Sequence, residues 1–325
     1  MSNSSEDSST SQEFLPKVSV IVPIYNGELD LPELIDCLRA QTYPATQVEY
    51  LLVDNNSSDR TTTILQSAAE EASREGLTIL PLSENQIQSS YAARNTGIRE
   101  ANNDIMAFTD ADCRPQTDWL EKLVQPFVNS NLGIVVGEIV GLPGKTILEK
   151  FANRYSVLSQ KFTLEHPFFA YGQTANLAIR RQAFVEVGLF RPYLTTGGDA
   201  DICWRILGNT DLKIEFAPNA IIRHRHRSNL RELRSQWQRY GRSNRYLHEL
   251  YGVDLMRELT TKEAVYRLGR WLFKEIPINA IKVMRGKGSP LDIIKTPIDL
   301  LGFQARSLGQ RESKLPDLAR KIDQL

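Results

Sequence analysis

Short apolar runs alternate with longer amphipathic stretches along the first third of the chain. Each run is continuously apolar and rich in β-branched residues, which is typical of a strand buried on both faces. The four runs cover residues 17–24, 48–53, 77–82 and 104–109. Apolar positions at helical spacing predict helices over residues 31–38, 59–72 and 91–101. Strands alternating with helices in this way predict a parallel, doubly wound α/β sheet.

The pattern changes beyond Gly144. Residues 145–164 and 199–207 are predicted to be helical, whereas residues 172–179 have the character of a strand. From Ser228 onward the chain is predicted to be mostly helical. Breaks in these helices are expected near Gly252, Pro277, residues 286–290 and Pro297.

These patterns divide the chain into three parts. Residues 1–14 are Ser-rich and acidic, which predicts a disordered tail rather than a signal peptide. Residues 15–227 form the predicted α/β domain, and residues 228–325 form a helical C-terminal extension. No apolar stretch reaches the roughly 18 residues of a membrane-spanning helix, so none is expected.

Polar side chains follow three of the predicted strands. Tyr25 and Asn26 come after the first strand, Asp54 and Asn55 after the second, and residues 110–112 (DAD) after the fourth. In open α/β sheets, ligands bind where the carboxyl ends of the strands and their loops gather. The sequence therefore predicts a ligand site at this edge of the sheet.

Asp110 and Asp112 flank Ala111 at the end of a strand. Two carboxylates in this arrangement can hold a divalent cation beside a diphosphate, since Mg²⁺ typically takes one or two carboxylates plus phosphate oxygens. The alternative interpretation is a solvated acidic turn. Asp30 followed by Glu33 also predicts a capping box at the start of the first helix.

Overall composition narrows the picture only slightly. Basic and acidic residues balance at 39 each, so the net charge indicates no class of partner. Three widely spaced cysteines provide neither a disulfide framework nor a zinc ligand set, which favours a reducing cytoplasm.

Four motifs in order resemble a known family. They are residues 18–26 (VSVIVPIYN), 53–61 (VDNNSSDRT), 93–97 (ARNTG) and 110–112 (DAD). Together they resemble the family-two inverting glycosyltransferases with the GT-A fold, and the resemblance extends over about residues 17–240. It implies a mixed α/β sheet flanked by helices, a nucleotide-sugar donor, a divalent cation (Mg²⁺ or Mn²⁺) and inversion at the anomeric carbon.

The resemblance assigns donor-binding roles by position. Pro23, Tyr25, Asn26, Asp54 and Asn55 would lie around the nucleoside. A short carbonyl or carboxylate there can accept the imide hydrogen of uracil, which favours a UDP-sugar. Many relatives have Asp at the position of Asn55, and the same residues also suit a simple turn before a helix.

The donor diphosphate would lie near Arg94 and between Asp110, Ala111 and Asp112. The alternative for Arg94 is an exposed helix arginine in an ion pair. Either His224 or His226 would complete the metal shell, with His224 taken as the ligand, because imidazole suits metals such as Mn²⁺. An ordinary hydrogen-bonded histidine is the competing interpretation.

Residues 197–205 (GGDADICWR) resemble the catalytic-base motif of the family. Asp199 matches the residue that takes the proton of the acceptor hydroxyl, whereas Gly198 departs from the Glu common in relatives. The alternative for Asp199 is a helix N-cap. Residues 236–240 (QWQRY) resemble a motif of processive relatives, which implies contact of Arg239 with the diphosphate. Without membrane-spanning helices, a single-addition transferase is expected.

Two stretches suggest anionic partners. Eight arginines between residues 223 and 245 form a predicted basic rim that suits a lipid-linked acceptor or an acidic leaflet, although a solvated face is the plainer interpretation. Residues 267–284 combine Trp and Phe with basic residues, as in a helix at a membrane interface or one packed on the domain. No nucleic-acid recognition module accompanies them.

The acceptor is expected to be a saccharide or lipid-linked saccharide, and the resemblance suggests synthesis of a surface polysaccharide or glycoconjugate. A peripheral position at the inner face of the plasma membrane would suit the basic stretches. The competing functions are a sugar-1-phosphate nucleotidylyltransferase, which needs a Gly-rich basic loop after strand one, and an inactive sugar-nucleotide sensor.

Overall fold

The computed structural model describes residues 15–325, so the disorder predicted for residues 1–14 lies outside the described residues. The central sheet has eight strands. They are β1 Val18–Ile24, β2 Val48–Asp54, β3 Thr78–Ser83, β4 Ile105–Phe108, β5 Cys113–Pro115, β6 Leu132–Gly141, β7 Leu177–Arg180 and β8 Lys213–His224. Their order across the sheet is β3-β2-β1-β4-β7-β6-β8-β5.

Helices flank the sheet and continue beyond it. Those within the first 229 residues are α1 Leu31–Arg39, α2 Thr61–Arg74, α3 Ser90–Glu100, α4 Trp119–Val124, α5 Ile147–Arg154, α6 Lys161–Leu164, α7 Arg181–Val187 and α8 Gly198–Asn209. The C-terminal helices are α9 Leu230–Tyr251, α10 Thr261–Arg270, α11 Ile276–Met284 and α12 Lys295–Glu312.

The sheet is parallel in one half and mixed in the other. Strands β3, β2, β1 and β4 are parallel, as the sequence predicts. Strand β7 then pairs antiparallel to β4, β6 antiparallel to β7, and β8 parallel to β6. The short β5 lies antiparallel to β8 at the edge. This confirms the mixed α/β sheet, while the doubly wound parallel pattern holds only for the first four strands.

Both faces of the sheet are buried. Along β1, Val20 and Val22 point into one apolar core, and Ile21 points into the other. Alternate residues of a strand face opposite sides, so a continuously apolar run is what two cores require. The four parallel strands β1 to β4 end at one edge, and this packing fixes where the residues that follow them lie.

The predicted capping box at α1 is wrong. The side chain of Asp30 makes no cap hydrogen bond. Its Oδ1 lies 3.0 Å from Arg114 and 2.7 Å from Arg225, while Glu33 accepts from Arg114 Nε at 2.7 Å. Two arginines from distant strand ends therefore outcompete the backbone N–H groups for these carboxylates.

A π-helical segment, Trp271–Glu275, joins α10 to α11 without a break. The predicted break at Pro277 is therefore wrong, because this proline lies in the first turn of α11, where its missing N–H costs little. The inner side of this helix is tied to the turn before α12, since Trp271 Nε1 donates to the Ile293 carbonyl.

Helices α9 and α12 pack with their backbones in close contact. A Cβ atom on Gly309 would overlap the carbonyl oxygen of Gln238, and one on Gly241 would overlap that of Arg306. The turn before α12 also contacts the α/β domain, where Arg154 donates two hydrogen bonds to Asp292, at 2.6 and 2.8 Å. Among residues 15–325, no helix has the length and apolar character needed to cross a bilayer.

Candidate active site

Four side chains capable of binding a metal converge at the sheet edge. Ligand atoms of Asp110, Asp112, Cys113 and His224 all lie within 4.8 Å of one another. The first two follow β4, and the register of β5 with β8 places Cys113 opposite His224. Two carboxylates and one imidazole form a donor set that suits Mg²⁺ or Mn²⁺.

The tautomer of His224 follows from its hydrogen bond. Its Nδ1 lies 2.7 Å from the Arg225 carbonyl, which can only accept, so Nδ1 carries the proton. The other nitrogen, Nε2, lies 3.3 Å from Asp112 Oδ1. The Nδ1 hydrogen bond therefore orients the ring so that Nε2 faces the acidic cluster, the arrangement usual for a histidine that binds metal.

The second histidine of this strand end has a different environment. His226 is buried, and its Nε2 lies 2.9 Å from Asn153 Oδ1. Burial lowers the pKa of His226 to about 4, and the neighbouring His224 adds to this effect. His226 is a neutral, hydrogen-bonded core residue, so of the two histidines only His224 lies in the cluster.

Arg94 lies beside the same carboxylates. It projects from α3, is buried, and donates from Nη2 to Asp110 Oδ1 at 2.6 Å. Its Nε is also buried and has no hydrogen-bond partner among the described residues. The alternative of an exposed surface arginine is excluded, and the free donor favours an anionic oxygen as a further partner.

Asp199 lies in the first turn of α8 rather than at its N-cap, which is Gly197. Its Oδ1 accepts from the Thr174 hydroxyl at 2.9 Å. Burial raises the pKa of Asp199, and Arg94 and the Thr174 hydrogen bond oppose that rise. The carboxylate is thus held in one orientation and made more basic than an ordinary aspartate, as a general base requires.

Tyr91 connects the base to the arginines. Its hydroxyl accepts from the Gly198 N–H at 3.0 Å, which fixes the start of α8. Burial raises the pKa of Tyr91 and Asp199 raises it further, whereas Arg94 and Arg239 oppose the rise. Residues from three separate predicted motifs therefore share one electrostatic environment around Tyr91, which no motif singled out.

Asp54 and Asn55 end the neighbouring strand β2 and are both buried. Asp54 accepts from the Ser57 N–H at 3.0 Å and the Thr62 hydroxyl at 2.7 Å. Asn55 Nδ2 donates to the carbonyls of Glu84 and Ile87, each at 2.9 Å. Two acceptors fix the amide nitrogen, which orients the Asn55 side-chain oxygen in the opposite direction.

The residues after β1 occupy different depths. Pro23 is buried within the strand, opposite Val53 of β2. Tyr25 is 58 % exposed. Asn26 has a positive φ of 50°, and its Oδ1 accepts from the Ser58 N–H at 2.9 Å. Tyr25 is therefore an aromatic side chain of this loop that is open to a ligand, whereas Asn26 holds the loop to Ser58.

A basic cavity lies beyond β8. Its volume is about 500 Å³, and it is formed by the loop after the strand and the first half of α9. The residues that line it are Arg227, Asn229, Arg231, Glu232, Ser235, Gln236 and Arg239. The Glu232 carboxylate is already bound by the Asn229 side chain and the Ser228 N–H, so the three arginines leave the cavity positive.

Sequence reasoning missed several side chains that shape the site. Thr174 orients Asp199 but belongs to no motif. Cys113 follows Asp112 directly, and only the strand pairing places it beside His224. Asp201 is completely buried and bound by Arg191 and Arg205. This ion-paired group anchors α8 behind Asp199.

Comparison with known proteins identifies the family of the chain. The sequence model described as Glycosyl transferase family 2 matches residues 19–194, which is more than half of the chain. The protein belongs to that family. The glycosyltransferase AglE of Haloferax volcanii is 35 % identical over 187 residues, covering 57 % of this chain and 59 % of that protein.

Solved structures share the fold. The mannosyltransferase PcManGT from Pyrobaculum calidifontis, in complex with GDP-Man and Mn²⁺, superposes with a TM-score of 0.65 at 19 % identity, covering 93 % of this chain and 89 % of that one. Glucosyl-3-phosphoglycerate synthase from Mycobacterium tuberculosis, with Mn²⁺ and UDP-glucose, gives 0.51 at 17 % identity, covering 74 % and 81 %. The chain spans about half to three-fifths of the length of its first curated relatives.

Proposed function

We propose that the protein is an inverting, metal-dependent glycosyltransferase that uses a nucleotide-diphosphate sugar, with a UDP-sugar favoured. One observation carries this proposal. Arg94 bonds to Asp110 of the acidic cluster, and its charge also acts on Asp199, so a candidate diphosphate site and a candidate base lie side by side. Catalysis of sugar transfer needs these two functions at neighbouring positions.

The described residues suit a divalent cation. Asp110, Asp112 and the Nε2 atom of His224 would hold it, and the hydrogen bond from His224 Nδ1 orients the imidazole for that role. Bound there, Mg²⁺ or Mn²⁺ would neutralise the charge that develops on the departing nucleoside diphosphate. Arg94, with its unpartnered Nε, would donate to the same phosphate oxygens.

The base of the donor would lie at the ends of β1 and β2. The oriented oxygen of Asn55 and the carboxylate of Asp54 are acceptors for an imide N–H, and Tyr25 is exposed beside them. These features favour uracil. PcManGT was solved with GDP-Man, so guanine is the base to test against it.

Asp199 would remove the proton of the acceptor hydroxyl as that oxygen attacks the anomeric carbon. The new bond forms opposite the bond to the departing diphosphate, which inverts the configuration. Thr174 holds the carboxylate, and burial raises its pKa, so the group is a better proton acceptor than an exposed aspartate, while the charge of Arg94 opposes that rise.

The acceptor is proposed to be a saccharide or lipid-linked saccharide used for a surface polysaccharide or glycoconjugate. The basic cavity supports an anionic group in one of the substrates, because Arg227, Arg231 and Arg239 line it. Arg239 is proposed to contact the donor diphosphate. We further propose a single-addition enzyme in the cytoplasm, in peripheral contact with the inner face of the plasma membrane.

Donor hydrolysis tests the proposal. Purified protein would be incubated with UDP- and GDP-sugars in the presence of Mn²⁺, Mg²⁺ or EDTA, and release of the nucleoside diphosphate would be measured. We expect slow turnover of one donor, and EDTA should abolish this turnover. Asp112→Ala should remove this turnover, whereas Asp211→Ala, an exposed aspartate before the opposite end of β8, should not.

Two negative outcomes of the donor assay have different meanings. If no donor is turned over, and calorimetry detects no metal-dependent binding of UDP or GDP, the transferase proposal is rejected. Metal-dependent nucleotide binding without turnover, in the presence of a panel of acceptors, would instead indicate a sugar-nucleotide sensor.

A further inference from the structure

One continuous helical stretch exposes large apolar side chains to solvent. It runs through α10, the π segment and α11. Phe273 is 80 % exposed and Met284 is 78 % exposed, far more than apolar residues of this size in a core. Val265, Leu268, Leu272 and Ile281 are also exposed along the same stretch. These six residues are called the apolar face below.

The opposite side of the stretch is fully occupied. Trp271 donates to Ile293, Glu275 accepts from Thr296 at 2.5 Å, and Arg267 stacks on the Phe303 ring at 5.2 Å. The helices therefore pack on α12 with polar and aromatic contacts. The apolar face is not the packing face of this helix, so it needs another explanation.

The charge around the apolar face is strongly positive. Residues 261–287 contain seven basic and two acidic residues, although the whole chain is balanced. Both acidic residues are engaged: Glu263 bonds to Arg257 and Thr260, and Glu275 bonds to Arg270 and Thr296. Lys274, Lys282 and Arg285 are exposed on the same stretch, so the surface combines apolar and basic groups.

We infer that the apolar face docks on an anionic lipid bilayer, with Phe273 and Met284 inserted among the acyl chains. A helix with an apolar side and basic flanks lies in the plane of a membrane interface, where lysine and arginine meet the lipid phosphates. A second copy of the chain fits less well, because a two-fold contact through this surface would bring like charges together.

Docking would also orient the candidate active site. The apolar face is fixed to α12, which contacts α9 backbone to backbone at Gly309 and Gly241. Helix α9 carries Arg239 in the wall of the basic cavity. The bilayer would therefore lie at a set position relative to that cavity. The inference itself does not depend on the proposed transferase activity, since it requires only binding to lipid.

Vesicle sedimentation with the full chain tests the inference. Vesicles of phosphatidylcholine alone would be compared with vesicles that also contain the anionic lipid phosphatidylglycerol. We expect at least about 100-fold stronger binding to the anionic vesicles, from about 1 kcal/mol for each of three basic residues. The triple variant Lys274→Gln, Lys282→Gln, Arg285→Gln should lose about 100-fold on anionic vesicles, at roughly tenfold for each 1.4 kcal/mol.

A second variant isolates the apolar contribution. Phe273→Glu with Met284→Glu should abolish binding to both vesicle types. Both side chains are exposed, so the melting temperature of this variant should equal that of the wild type. Val128→Glu with Val185→Glu is the matched control, because these valines are 65 % and 55 % exposed but lie outside the apolar face. The control should bind like the wild type, and so should Asp199→Asn.

Three results would overturn the inference. The first is an absence of vesicle binding, and the second is equal binding to neutral and anionic vesicles. The third is a concentration-dependent dimer that Phe273→Glu with Met284→Glu dissociates, which would assign the surface to self-association. A failed donor assay with normal vesicle binding would reject the transferase proposal alone.

Discussion

The α/β sheet and the C-terminal helices use apolar residues in opposite ways. In the sheet, every residue of β1 and β2 is buried, and the polar Ser19 and Glu49 near the strand starts are hydrogen-bonded to each other. In α10 and α11 no residue is buried, and the large apolar side chains face solvent. The inner contacts of these helices are made by Trp271 and Glu275 instead.

The sheet and the C-terminal helices are therefore suited to different roles. The buried strands fix the positions of Asp54 and Asp110, because a close-packed core tolerates little displacement. The C-terminal helices are fixed by the contact of α12 with α9 and by the ion pair of Arg154 with Asp292. Their apolar surface therefore remains free to interact with something outside the chain.

The largest expected effect comes from the base. Asp199→Asn should lower transfer to the acceptor by about 10²–10⁴-fold, because the amide cannot take the proton of the hydroxyl. The Thr174 hydrogen bond can be kept by the amide oxygen, so the melting temperature should change little. Phe273→Glu with Met284→Glu should keep turnover of soluble substrates. Loss of turnover in both variants would remove the proposed division between the two regions.

Turnover should also depend on pH through Asp199. Burial raises its folded pKa, so the carboxylate becomes protonated at a higher pH than an exposed aspartate. Activity should fall as the pH decreases through this raised value. Arg94→Gln removes a charge that opposes the rise, so the acidic limb of kcat should move to higher pH. If the acidic limb of kcat lies at the same pH in Arg94→Gln as in the wild type, a group other than Asp199 acts as the base.

The contact between α9 and α12 should be sensitive to a single methyl group. Gly309→Ala should destabilise the protein by about 1–3 kcal/mol, since the new Cβ would overlap the Gln238 carbonyl. Gly269→Ala is the matched control, because nothing lies near its Cβ position. It should stabilise α10 by about 0.5–1 kcal/mol. Urea denaturation measures both, and equal effects would contradict the close contact.

The last expected effect appears only at acidic pH and concerns His226. Its folded pKa is about 4 because of burial, whereas an unfolded histidine titrates near 6.5. Below pH about 6.5 the unfolded state binds a proton that the native state does not, so stability falls by up to about 1.4 kcal/mol per pH unit until pH approaches 4. His226→Gln should flatten this slope while retaining the bond to Asn153. An unchanged slope would mean that His226 is already charged in the fold.

The sequence was most informative where local pattern and packing agree. Continuous apolar runs predicted β1 to β4 with their parallel pairing, and the strand-end motifs predicted that Tyr25, Asp54 and Asp110 lie at one edge. Long-range pairing was not readable. The antiparallel return of β7 and the register that brings Cys113 to His224 depend on contacts between distant residues.

Competition between partners explains the remaining errors. Asp30 could cap α1 or pair with arginine, and only the fold brings Arg114 and Arg225 to it. His224 and His226 are two residues apart and looked equivalent, yet β8 ends at His224, and His226 beyond it is buried against Asn153. Thr174 beside Asp199 had no local signal, because its role arises from a turn that precedes β7.

The π segment at Trp271–Glu275 has a consequence for insertions and deletions. A π turn accommodates one residue more than an α-helical turn, so it absorbs a surplus residue without rotating the flanking helices. Removing one residue, for example Lys274, should convert the segment to ordinary α-helix and keep α10 and α11 in phase. This helix is therefore expected to tolerate a one-residue deletion here, whereas the same deletion within α9 would rotate Arg239 by about 100°.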